Sequence, residues 1–242
     1  MALASMSEIF ERMARNGQEF WEVVLADDMD ERQVSREASM AKMLTTWQAM
    51  QDAADSYTGR KRSVSGLVGG DGMKMRQYTF RGCAMTGGYV SEVIAEALSM
   101  AESNACMRRI VAAPTAGACG VLPAVLLPLC KYEELTQHQL LEALYVAAGI
   151  GSIIAYKASI AGASGGCQAE IGTASAMAAG ALCGPAGRQR RADRPRGGDG
   201  AQESHGSCLR PRRGTGRGAL RQAQRHRRGQ RRERGGYGAR GH

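Results

Sequence analysis

The composition of the chain changes abruptly at Gly184, and this change limits how much of the protein can fold. Of the 32 Lys and Arg residues in the 242-residue sequence, 17 are Arg that lie from Gly184 onward, where there are only four acidic residues and no Lys. All 13 Met precede this point, and the large apolar side chains after it are Leu209, Leu220 and Tyr237. So few apolar groups cannot offset the entropy of ordering a chain. The sequence therefore predicts one folded domain over residues 1–183 and a disordered Arg/Gly-rich tail over 184–242.

Apolar side chains recur at helical spacing through most of residues 1–183, whereas no segment shows the alternation that is typical of a strand. This pattern predicts helices over residues 6–26, 34–57 and 89–112. The last of these helices carries an apolar stripe that consists of Val90, Val93, Ile94, Ala97, Leu98 and Ala101. Thr136 and Gln139 form a capping box, which predicts a further helix through about Ala158. The expected fold class is therefore mostly α.

Three absences exclude whole classes of protein. The N-terminal stretch MALASMSEIFERMARNG lacks a basic region followed by an apolar run, so we expect no secretory signal. No uninterrupted apolar stretch reaches the ~18 residues of a spanning helix, so we expect no membrane insertion. The cysteines show neither CxxC pairs nor zinc-finger spacing, and most are expected to be small buried hydrophobic side chains. They are Cys83, Cys106, Cys119, Cys130, Cys167, Cys183 and Cys208.

Glycine-rich loops are the part of the sequence that suggests a site. They are SVSGLVGGDG at 63–72, APTAGACG at 113–120 and SIAGASGGCQAEIG at 159–172. Small residues beside polar groups let backbone N–H groups approach an anionic ligand, although each loop alone is also ordinary turn geometry. The third loop is the most informative, because Cys167 follows two glycines at a predicted helix N-terminus. A cysteine in that position favours the thiolate form that metals require.

In this order and spacing, the three loops resemble the alpha chain of iron–sulfur-dependent L-serine dehydratase, an L-serine ammonia-lyase. The resemblance runs from about residue 5 to residue 183 and is strongest in SVSGLVGGDGMKM, APTAGACGVLPAVL and ASIAGASGGCQAEIGTASAMAA. It implies a mostly helical, cytoplasmic enzyme that acts with a separate beta chain. It also implies a 4Fe–4S cluster held by three cysteines. One of them lies in GGCQAE and is Cys167 here, whereas the others belong to CDPVAG and EVPC segments.

The chemistry implied by this resemblance is the dehydration and deamination of L-serine to pyruvate and ammonia. Three thiolate ligands leave one iron able to act as a Lewis acid on the serine hydroxyl, while a base removes the α-proton. The residues themselves make Ser65, Gly66 and Thr115 candidates to hold the substrate carboxylate. The general base is not identified by the sequence.

The basic tail is explained by a change of reading frame after about residue 184. One reverse translation of Leu209–Gly216, read one base further on, encodes Cys-Asp-Pro-Val-Ala-Gly-Leu-Val. The run from Arg217 to Gly229 likewise permits a segment that begins Glu-Val-Pro-Cys. The two missing cluster segments therefore reappear in the family's order. In the frame as given the chain supplies Cys167 alone of the three ligands, so we expect it to assemble no cluster and to be inactive.

Two other functions compete with this interpretation. A helical binding protein could contact nucleic acid through its Arg/Gly tail, but such tracts interleave aromatic residues and here Tyr237 stands alone. We therefore expect no specific nucleic-acid partner. A purely structural helical domain would leave the three glycine-rich loops unexplained.

The change of reading frame predicts the nucleotide sequence of the gene. Moving the frame by one base near codons 183–187 should restore a C-terminal region with the CDPVAG and EVPC segments. Sequencing the DNA across codons 180–216 checks this. Codons for residues 209–215 that cannot encode Cys-Asp-Pro-Val-Ala-Gly in the shifted frame would contradict it.

Overall fold

A computed structural model of the protein describes residues 3–82 and 84–184. Predictions about Cys83, about Cys208 and about the tail beyond Gly184, including its disorder and its reading frame, concern residues outside these ranges. Within them the chain forms helices and no β-strand, which confirms the mostly α fold class. The helices are α1 (Met6–Asn16), α2 (Phe20–Arg32), α3 (Arg36–Asp55), α4 (Asp71–Phe80), α5 (Gly87–Ala105), α6 (Val121–Tyr132), α7 (Gln137–Lys157) and α8 (Gly162–Cys183).

The single helix predicted over residues 6–26 is wrong, because the chain breaks there into α1 and α2. Gly17 ends α1 in the left-handed region with φ 66°, a conformation that costs glycine little. Glu19 then opens α2 through a capping box with Glu22. The apolar spacing continues across both helices, so periodicity alone did not reveal the turn.

Helix α5 ends seven residues earlier than predicted and does not bury its apolar stripe. Val90, Ile94 and Leu98 are 46%, 37% and 37% exposed. The buried face instead carries mostly small or polar side chains, namely Ser91, Ala95, Ser99, Met100, Glu102 and Ser103. A Cβ added at Gly72 of α4 would lie 2.6 Å from the Ser99 hydroxyl oxygen. Small side chains are therefore needed where α4 and α5 meet, and the apolar stripe faces outward.

Helix α7 is a core helix that packs against α2 and α8. It begins at the predicted capping box and ends one residue before Ala158, as expected. Added Cβ atoms at Gly149 and Gly151 would lie 2.4 Å from Val24 and 2.9 Å from Met177, so glycine at these positions lets the neighbouring helices approach closely. By length and composition α7 could cross a membrane, in contrast to the expectation of no such helix. However, 61% of its apolar window is buried, as in the core helix of a soluble protein.

Helix α8 contains a break just before Cys167. Gly166 has φ 78° and ψ 168°, which lie outside the helical region, and the helix runs from Cys167 to Cys183 after it. A rise of about 1.5 Å per residue separates these two cysteines by roughly 24 Å. The structure thus confirms that Cys167 starts a helical segment and that Cys183 lies at its far end.

A carboxylate from α5 holds the end of the first glycine-rich loop. Glu102 is buried and accepts hydrogen bonds from the backbone N–H groups of Gly70, Asp71 and Gly72 at 2.9, 2.6 and 3.2 Å. The Tyr57 hydroxyl donates a further hydrogen bond to it. Burial alone would raise the pKa of Glu102, but the bonds from Tyr57 and the N–H groups outweigh it and lower that pKa. Burial and the contact with Glu102 raise the pKa of Tyr57 to about 12, so the hydroxyl remains a donor.

Replacement of Glu102 by Gln is expected to lower the free energy of unfolding by about 1–3 kcal/mol, because an amide accepts these hydrogen bonds less strongly than a carboxylate. The contribution of Glu102 is fully present above its ordinary pKa of 4.5 and is lost as the pH falls through its lowered pKa in the folded chain. Urea unfolding between pH 3.5 and pH 7 should show a weaker acid dependence in Glu102→Gln than in the wild type. Glu11→Gln, at an exposed position on α1, is the matched control. Identical pH dependence in wild type and Glu102→Gln would contradict this assignment.

Candidate active site between two glycine-rich loops

Most of the predicted third loop is helical, because residues from Gly162 onward belong to α8. The second glycine-rich loop meets this helix at the carboxylate of Glu170. The Thr115 hydroxyl donates a hydrogen bond to Glu170 Oε1. A Cβ added at Gly117 would lie 2.6 Å from each carboxylate oxygen, and one added at Gly162 would lie 2.8 Å from Oε2. The side chain of Glu170 therefore occupies space that Gly117 of the loop and Gly162 of α8 leave open.

Glu170 lies within the GGCQAE segment, and no role for it could be predicted from the sequence. The available signal was an acidic residue three positions after Cys167, which places both residues about one helical turn apart. Its partner, Thr115, lies 55 residues away in the chain. That distance explains why the contact could not be read from local spacing.

The 113–120 loop is anchored between α5 and α6. Asn104 of α5 donates from its side-chain amide to the carbonyl oxygen of Ala116 at 3.0 Å. Ala118 and Cys119 are buried at the far end of the loop. Within the part of the chain that the structure describes, the backbone N–H groups of residues 115–118 donate to no acceptor. The loop thus presents hydrogen-bond donors beside the Thr115–Glu170 contact.

Burial makes two cysteines poor candidates for metal binding. It raises the pKa of the Cys119 thiol, and the nearby charge of Glu170 raises that pKa further. Burial also raises the pKa of the Cys130 thiol. The expectation that most cysteines are buried is wrong for the described residues, because only Cys119 is buried, Cys106 and Cys130 are partly exposed, and Cys167 and Cys183 are exposed.

Cys167 differs from Cys119 and Cys130 because its side chain is exposed. A 4Fe–4S cluster with an open iron needs three thiolates that converge on one site. Residues 3–82 and 84–184 contain no group of three side chains placed to hold a metal ion, and the exposed Cys183 lies at the opposite end of α8. These residues therefore do not fit such a cluster on their own, and contribute at most one ligand at Cys167.

Ser65 and Gly66 lie in an exposed turn of the first loop. Gly66 donates from its backbone N–H to the Ser63 carbonyl at 2.8 Å, and the Ser65 hydroxyl lies 3.0 Å from that of Ser63. Among the described contacts, none joins Ser65 or Gly66 to Thr115. At the other end of this loop, the donors of residues 70–72 are occupied by Glu102 and not by a ligand.

The family model and the relatives that match this chain all belong to the serine dehydratases. The family model described as "Serine dehydratase alpha chain" matches residues 15–192. The probable L-serine dehydratase alpha chain of Bacillus subtilis (strain 168) is 35% identical over 166 residues, which are 69% of this chain and 55% of that protein. The L-serine dehydratase alpha chain of Peptoniphilus asaccharolyticus is 32% identical over 181 residues, 74% of this chain and 62% of that protein. L-serine dehydratase 2 of Escherichia coli (strain K12) is 48% identical over 87 residues, 36% of this chain and 19% of that protein.

The chain thus spans roughly half to three-fifths of the length of the two alpha chains compared here. No solved structure shows a significant match to it. The matched family model covers well over half of the sequence and includes all three glycine-rich loops. The chain therefore belongs to the serine dehydratase alpha chain family.

Proposed function

We propose that this chain is the alpha chain of an L-serine ammonia-lyase, which converts L-serine to pyruvate and ammonia together with a separate beta chain. Family membership and the names of the relatives support this function. The observation that carries it is the junction of the 113–120 loop with the helical segment that begins at Cys167. This junction places an exposed thiol, a carboxylate and unpartnered N–H donors on neighbouring segments of the chain.

Cys167 is proposed as one ligand of a 4Fe–4S cluster, which would supply the Lewis acid of the reaction. Its exposure and its place at the start of a helical segment leave the sulfur accessible. Soft thiolates are the ligands that iron–sulfur clusters select. The exposure of Cys167, in contrast to the buried Cys119 and the partly exposed Cys130, supports the choice of Cys167 over these two residues.

Thr115, Ser65 and Gly66 are proposed to bind the carboxylate of serine. The case is strongest for the Thr115 loop, because its N–H groups are unpartnered among the described residues and suit a carboxylate. The Thr115 hydroxyl already donates to Glu170, so its remaining capacity toward a ligand is as an acceptor. Backbone N–H groups of this loop are therefore the proposed carboxylate donors.

The 242-residue chain is itself proposed to be inactive, because it supplies one ligand of the three. Anaerobic expression with a beta chain, iron–sulfur reconstitution and an assay for pyruvate from L-serine test this. The chain as given should show neither 4Fe–4S absorbance nor pyruvate formation. The same chain with its reading frame restored after about residue 184 should show both.

Within the frame-restored chain, Cys167→Ser should abolish cluster absorbance and turnover, since a hydroxyl replaces a soft thiolate poorly. Cys106→Ser is the matched control and should retain both. Cluster binding with turnover by the 242-residue chain would contradict its inactivity, and a retained cluster in Cys167→Ser would contradict the ligand. Absence of serine turnover in the frame-restored chain would contradict the proposed function itself.

A further inference from the structure

We propose that Glu170 is a positioning residue that holds the 113–120 loop against α8. The importance of this loop for catalysis rests on the proposed function, but the contact does not. Glu170 lies on the helical segment that begins at Cys167, one turn further on. Its hydrogen bond from Thr115 therefore fixes the loop relative to the segment that carries the proposed ligand.

Two glycines indicate that the position of this carboxylate is specific. Added Cβ atoms at Gly117 and Gly162 would lie 2.6 and 2.8 Å from its oxygens, closer than real Cβ atoms approach. Neither glycine has the positive φ that would itself require glycine, in contrast to Gly166 with φ 78°. At Gly172, on the same helix, nothing lies within 4 Å of an added Cβ. The carboxylate of Glu170 thus occupies the space beside both glycines, and as the end of a flexible side chain it would have to move if either residue carried a methyl group.

A hydroxyl, and not an ion pair, retains the carboxylate. No Lys, Arg or His in the described ranges forms a salt bridge with Glu170. The contact therefore depends on an oxygen that accepts the proton of Thr115, and charge is not essential to it. A glutamine at position 170 keeps such an oxygen at the same distance from the backbone, whereas an alanine removes it.

Cys119 is a natural probe of this contact because it is buried at the end of the same loop. Alkylation of its thiol by iodoacetamide under native conditions requires the loop to open, so the rate reports the opening equilibrium. Cys130 of α6 is partly exposed and lies outside the loop, so it provides an internal reference for changes that are not specific to the 113–120 loop. Peptide mass spectrometry of the 242-residue chain resolves the two cysteines without any assay of serine turnover.

Glu170→Ala should accelerate alkylation of Cys119 about tenfold relative to Glu170→Gln, the effect of losing one hydrogen bond. Comparison with Gln removes the direct influence of the charge on the thiol, since both variants lack it. Cys130 should react at the same rate in both. Equal rates at Cys119 in the Ala and Gln variants, or equal acceleration at Cys119 and Cys130, would overturn the proposal.

Gly117→Ala provides a second variant that keeps Glu170. Its added methyl group strikes the far end of a flexible side chain, so the carboxylate shifts at little cost to the fold. It should accelerate alkylation of Cys119 without affecting Cys130, whereas the control Gly172→Ala should behave as the wild type. No acceleration in Gly117→Ala would overturn the proposal. None of these alkylation measurements uses serine or a cluster. A negative result for the role of Glu170 is therefore distinguishable from failure of the proposed function.

Discussion

The fold depends on the close approach of segments whose facing side chains are small. Glutamate side chains of the same chain occupy part of the space that the missing side chains leave between these segments. Glu102 occupies the N-terminal end of α4, where three backbone N–H groups converge on it. Glu170 occupies a gap that Gly117 and Gly162 leave between the second loop and α8. Both carboxylates connect a glycine-rich loop to a helix that is distant in the sequence. The first and second glycine-rich loops are thus each held by a glutamate side chain of the same chain.

Much of the helical architecture could be predicted from the sequence, because helix periodicity and capping are local. The capping box at Thr136 gave the start of α7 correctly. The turn at Gly17 was missed because apolar spacing continues across it, and a left-handed glycine interrupts a helix without interrupting the pattern. The stripe on α5 was assigned correctly to a helix, but its burial could not be inferred. Which face is covered depends on α4, whose approach requires Ser99 and not a larger side chain.

Only some of the residues at the candidate site could be singled out from local sequence patterns. Cys167 and Thr115 stood out because each lies in a glycine-rich motif. Glu102 and Glu170 could not be identified in this way, because the sequence around a helical glutamate does not indicate which loop its side chain contacts. For the first loop, the expectation of an anionic ligand at its backbone N–H groups stays a prediction. An anion is bound at residues 70–72, but it belongs to the protein.

The break at Gly166 has an entropic consequence for the segment that carries Cys167. Glycine loses more conformational freedom on folding than any other residue, and Gly165 and Gly166 are adjacent. Glu170 lies after this pair, and its carboxylate lies beside Gly162 before it, so a side chain spans the two glycines. The turn itself is held by the backbone N–H groups of Ser164 and Gly165, which donate to the carbonyl oxygen of Ala161 at 3.2 and 2.8 Å. The glycines that let the chain turn before Cys167 also leave the backbone there easier to displace than the continuous helix that follows.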